Sequence, residues 1–110
     1  MALRHLTSHD ITSVIQAARN GALQAHNTEG LLDLLDHFGD EKLVELLALT
    51  YLGEGRPATD LESALQYARK FMHPAARPYL ADKLVATALE DCYLTKAVRL
   101  LGVEPAPDQA

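Results

Sequence analysis

Two histidines one helical turn apart are the first residues whose spacing could do chemistry. His5 and His9 stand at i, i+4 with Asp10 beside His9, a spacing that lets two imidazoles on one helix face share a metal ion. Their segment, "RHLTSHD", precedes the first helix, whose start Thr7 or Ser8 can cap, and no third ligand follows at a diagnostic distance. His37, Asp40 and Glu41 in "HFGDE" make a second polar knot at a helix junction. There Asp40 is expected to cap the next helix and Glu41 to sit in its first turn, where the helix dipole favours an acid. No metal site is expected at either place.

Covalent catalysis has as little to work with. Cys92 is the single cysteine and lies beside Glu90 and Asp91, whose negative charge disfavours a thiolate. Ser8, Ser13 and Ser63 fall in helix caps or on helix surfaces, outside any nucleophile-elbow pattern. "GEGRP" has two glycines but lacks the lysine and the following helix start of a phosphate loop. The reading is no catalytic residue and no cofactor.

Charge separates along the chain. Between Glu29 and Glu45 the acids are Glu29, Asp33, Asp36, Asp40, Glu41 and Glu45, against Lys42. From Ser63 to Ala81 there is no acid, while Arg69, Lys70, His73 and Arg77 cluster. Those four are the candidate contacts for a partner protein, an anion or an RNA phosphate. The net charge of −5 works against nucleic acid, because a phosphate-binding surface needs cations in excess.

The elements that would carry these residues are helices. The 110 residues are 48% apolar, drawn from Leu and Ala, which lose little freedom in a helix. Ile11, Val14, Ile15 and Ala18 make the stripe of a first helix ending near Gly21, or near Ala25. Leu31, Leu35 and Phe38 make the inner face of a short second helix, with Asp33 and Asp36 outside and Gly39 as its stop. A third runs through "LVELLALTYLGEG", from about 41 to 53. Glu41, Lys42 and Glu45 give it a polar stripe at its start, but Ala48, Leu49 and Leu52 continue that stripe, so its end is apolar all round and belongs at the centre of a bundle. Thr50 can bond the carbonyl of Leu46 from within that apolar face.

"GEGRPA" reads as a turn whose glycines take positive φ. Thr59 and Glu62 suggest a capping box for a fourth helix on Leu61, Ala64, Leu65, Ala68 and Met72, closed by His73-Pro74. Thr87 and Glu90 suggest another cap, dividing the rest into helices of about 76–86 and 88–101, with a single kinked helix as the alternative and Gly102 as the stop. A helix-turn-helix of the third and fourth helices is disfavoured. Its connection exceeds the usual three or four residues, and the fourth helix offers Arg69 and Lys70 only near its far end. No strand is evident, and 103–110 reads as a frayed tail on an ordered core of about 6–102. No apolar run approaches the roughly 18 residues of a membrane span, and "MALRHLTSHD" is not a secretory signal, so a cytoplasmic protein is expected.

The order "LLDLLDHFGDEKLVELLALTYLGEGR", then "ALQYARKF", "YL" and "EDCYL…LLG", resembles a family of short bacterial proteins described as a domain of unknown function. The likeness spans roughly Leu31 to Gly102. In the family the central apolar helix runs into an aromatic-Leu-Gly-basic-Gly turn. Here that turn is Tyr51-Leu52-Gly53-Glu54-Gly55, with Glu54 at the basic position, and "ADKLVATAL" replaces the family's glycine- and proline-containing connection. The resemblance implies an all-α fold and a bacterial origin, and carries no activity.

The reading is therefore a single all-α domain over 1–110, a bundle of five or six short helices around a buried central helix of about 41–53. The function expected is a small cytoplasmic interaction or accessory protein acting through a helical surface. The alternative is a weak nucleic-acid or anion binder using Arg69, Lys70, His73 and Arg77. Leu49 and Leu52 raise a further alternative: either the chain's own helices cover them or a second copy does, in a homodimer. Leu49→Asp separates the two, unfolding the protein in the first case and turning a dimer into a monomer in the second.

Overall fold

The Leu and Ala stripes become helices in the computed structural model, which describes residues 2–56, 58–72, 75–90 and 92–107. Along those residues run β1 (Ala2–Thr7), α1 (Ser8–Leu23), α2 (Glu29–Asp36), α3 (Asp40–Glu54), α4 (Leu61–Phe71), α5 (Ala76–Thr87), α6 (Tyr93–Leu100) and β2 (Glu104–Ala106). It is the expected helical bundle with α3 at its centre. α4, α5, α6 and β1 pack on α3, while α1 packs on α2 and α5. No helix among the described residues is long and apolar enough to cross a membrane.

Every residue of α3 from Leu43 to Gly53 is buried. Leu43, Leu46, Leu47 and Leu49 are fully enclosed, and each such leucine contributes about 1.5–3 kcal/mol. Leu49 and Leu52, the candidate self-association residues, are 0% and 3% exposed within one chain. The chain's own elements cover them, which corrects the alternative of a second copy. Thr50 does donate its hydroxyl to the Leu46 carbonyl, at 2.9 Å.

The two glycines of the turn play different parts. Gly55, at φ 88°, is the left-handed cap, its N–H donating to the Tyr51 carbonyl at 2.8 Å. Gly53 still lies in the helix, and a Cβ there would collide with the backbone of Tyr93 at the start of α6. Its role is close approach, not the positive φ expected of it.

The caps shift by a residue from several expectations. Thr7 caps α1 as expected, in a reciprocal box with Asp10. Partial burial acts to raise the Asp10 pKa. Hydrogen bonds from Lys42, at 2.9 Å, and from Thr7 outweigh it and hold the carboxyl below the ordinary range. Gly39, not Asp40, is the N-cap of α3, and Asp40 lies in the first turn. Asp60, not Thr59, caps α4, accepting from the Ser63 N–H at 2.9 Å. Thr87 donates back to the Lys83 carbonyl at 3.0 Å instead of capping forward, and α6 begins at Tyr93, later than the Ala88 expected. His73-Pro74, the expected close of α4, lies outside the described residues.

The larger correction is at the termini. β1 and β2 pair in parallel, so a strand pair exists where none was expected. Val103 and Ala106 are 2% and 5% exposed, so order reaches from Ala2 into the segment read as a frayed tail. The pairing is irregular: between the partners Ala2↔Glu104 and Thr7↔Ala106, β1 advances further than β2, a bulge over residues 3–6. The bulge turns three consecutive amides toward α3. The N–H groups of Arg4, His5 and Leu6 all donate to the Glu45 carboxylate, at 2.9, 2.9 and 2.7 Å. Glu45, expected on a wet stripe, is 5% exposed. It replaces the strand neighbour those amides lack.

Two outcomes follow. Leu49→Asp buries an unpaired carboxylate and should unfold the protein under native conditions, seen as loss of far-UV circular dichroism with no folded monomer on a sizing column. Glu45→Ala leaves the enclosed Leu6 amide without an acceptor and should cost about 2–4 kcal/mol in urea unfolding, with Glu45→Gln losing less because one oxygen still accepts. Equal losses for the two would mean the hydrogen bonds are not what matters.

Candidate interaction surface

The candidate surface lies where α1, the turn after α5 and α6 meet. On α6, Leu94 and Ala97 are buried, and α6 packs chiefly on α3. That leaves Thr95, Lys96, Arg99 and Leu100 turned away from the core. On α1, Val14, Ala18 and Gly21 face inward, so Arg19 and Leu23 face out. Ala88 is buried at the end of α5, and the chain then turns through Leu89 and Glu90 with both exposed.

These pieces line a groove of about 480 Å³, walled by Arg19, Leu89, Glu90, Cys92, Thr95, Lys96, Arg99 and Leu100. Leu89 and Glu90 also line a smaller cleft of about 280 Å³ with Ala22 and His26, so the surface continues along the α1–α5 seam. His26 has φ 60° and follows Ala25 at φ 56°, an uncommon left-handed pair of non-glycine residues. From there its Nε2 meets Asp82 of α5 at 2.7 Å, pinning the end of α1 across the seam.

The surface is apolar and basic together. Leu23, Leu89, Leu100 and Leu101 are 69%, 53%, 73% and 41% exposed. The cations Lys42, Arg56, Arg77 and Lys83 each have a carboxylate within 4.0 Å, but Arg19, Lys96 and Arg99 have none among the described residues. Such a face can hold apolar side chains by burial and anionic ones by attraction. Cys92 is a half-buried free thiol at the N-cap of α6.

The residues singled out from sequence lie elsewhere. Arg77 reaches Asp36 at 3.7 Å and the Leu35 carbonyl at 3.5 Å, where α5 meets α2. Arg69 lines a separate cleft of about 290 Å³ with Arg4, His5 and Glu41, beside Glu45. Lys70 is exposed on α4, and His73 lies outside the described residues. His5 is on β1, 3.5 Å from Glu41; His9 is in the first turn of α1; His37 bonds the Asp33 carbonyl at 2.8 Å. Among the described residues no three His, Cys, Asp or Glu side chains converge as a metal site.

Sequence reading missed Arg19, Leu89, Lys96, Arg99 and Leu100. The available signal was Leu100, which lies off the Leu94–Ala97 stripe with Lys96 and Arg99 next to it. Comparison with protein families, curated proteins and solved structures returns no match to this chain.

If the leucines of this face are surface rather than core, replacing them costs little. Leu89→Ser and Leu100→Ser should each change unfolding free energy by less than about 0.5 kcal/mol. Leu94→Ala, on the buried side of the same helix, should cost about 2–5 kcal/mol. Urea titrations of the three variants make the comparison.

Proposed function

We propose that this protein is a small interaction or accessory protein that works by binding another protein through the α1–α5–α6 face, without catalysis. The carrying observation is the pair of exposed leucines, Leu89 and Leu100, in the wall of a groove of about 480 Å³. Scattered apolar residues are ordinary on a surface, but leucines exposed in the wall of a groove are what a partner covers. The resemblance to short bacterial helical proteins of unassigned function is compatible with this role and adds a bacterial origin to the proposal; the expected cytoplasmic setting is part of the same proposal.

Site-specific photo-crosslinking tests it. A photoreactive residue at Leu100, in cells expressing the chain, should give a discrete adduct that disappears with Leu89→Asp. One at Gln66, on the exposed side of α4, should not. Equal adducts at both positions, or none at Leu100, would remove the reading.

A further inference from the structure

The charge around the groove narrows the occupant, given that the face binds a protein as proposed above. Arg19 enters from α1 and Lys96 and Arg99 from α6, and none has a carboxylate within 4.0 Å among the described residues. Among the described residues of the groove wall, Glu90 is the one acid. Elsewhere Lys42, Arg56, Arg77 and Lys83 are paired with acids, and Arg4 and Arg69, unpaired among the described residues, share their cleft with Glu41 and Glu45. A locally positive wall on a negative molecule attracts an acidic ligand and repels a basic one.

We infer that the groove takes an acidic amphipathic helical segment of a partner protein, with leucine-sized side chains against Leu89 and Leu100 and carboxylates against Arg19, Lys96 and Arg99. Helix-in-groove binding matches an open trough beside a helix. Two to three turns of ligand suffice, because α6 is 8 residues, about 12 Å long.

Two other occupants fit less well. In a symmetric pair of copies the two cationic walls would come together. The acidic α2 of a second copy does not complement the groove either, since none of the exposed large hydrophobic residues lies on α2. A nucleic-acid strand would meet the cations, but base stacking needs exposed aromatics. The exposed aromatics, Tyr67 and Phe71, are on α4.

The test is a titration of the full chain, by fluorescence polarisation and amide chemical shifts, against labelled 15-residue peptides. One is an amphipathic Leu/Glu helix, the second has every Glu replaced by Gln, the third by Lys. A dT15 oligonucleotide is the fourth probe. We expect the acidic peptide to bind about tenfold more tightly than the basic one at low salt, with the neutral one between. The difference should shrink as NaCl approaches 1 M, where exposed charges are screened beyond about 3 Å. Combined Arg19→Glu, Lys96→Glu and Arg99→Glu should invert the order; the corresponding Gln variant, a gentler change, should flatten it. Leu89→Ala with Leu100→Ala should weaken all three peptides alike. Acidic and neutral peptides binding equally at the groove would overturn the charge inference and leave the protein-binding reading standing. Tighter binding of dT15 would overturn it in favour of phosphate. No peptide shifting the α6 amides would overturn both.

Discussion

The fold turns on one constraint: α3 has no wet side from Leu43 to Gly53. A helix enclosed on every face must have each polar group it carries satisfied by the protein, because no water reaches it. Thr50 meets this within its own helix. Glu45 cannot, and its carboxylate finds three amides on a bulged strand that would otherwise be short of partners. The strand and the helix thus solve each other's problem, and that exchange ties β1, and through it β2, to the middle of the bundle. No buried side-chain polar atom among the described residues lacks a partner.

Enclosing α3 from Leu43 to Gly53 also spends the inner faces of everything around it. α6 has 8 residues, enough for one buried stripe, and Leu94 and Ala97 supply it against α3. Gly53 lets the start of α6 come close to the α3 backbone, which fixes how the short helix lies. Once that side is committed, Leu100 has no core left to enter. The exposed leucines are therefore a consequence of geometry as well as of composition: a short outer helix with apolar residues on two sides can bury only one of them.

How much was legible follows the same division. The helices were readable because their stripes repeat over several turns, and the enclosure of α3 was readable because Ala48, Leu49 and Leu52 break its polar stripe. Caps were less so: Thr59 and Asp60 are adjacent and both suited to cap, and only the backbone decides that Asp60 bonds Ser63. The strands were not, because β1 is bulged, so Leu3 and Leu6 sit three apart and give no period of two, and β2 is three residues long. Glu45 was misread for a general reason. Helical phase places it beside Glu41 and Lys42, and phase cannot reveal a distant strand that arrives with three free donors.

The groove was hidden by a different effect, since charge was read as runs along the chain. Ser63 to Ala81 is the longest acid-free basic stretch, yet Arg77 from it is drawn to Asp36 on another helix. Arg19 is far in sequence from Lys96 and Arg99, so no run announces that the three line one groove. Net charge misleads in the same way. A value of −5 describes the distant field, whereas a bound segment feels the side chains within about a Debye length, roughly 8 Å at physiological salt. Inside that range the described groove wall carries Arg19, Lys96 and Arg99 against Glu90, so a molecule that is acidic overall still presents cations to a bound segment.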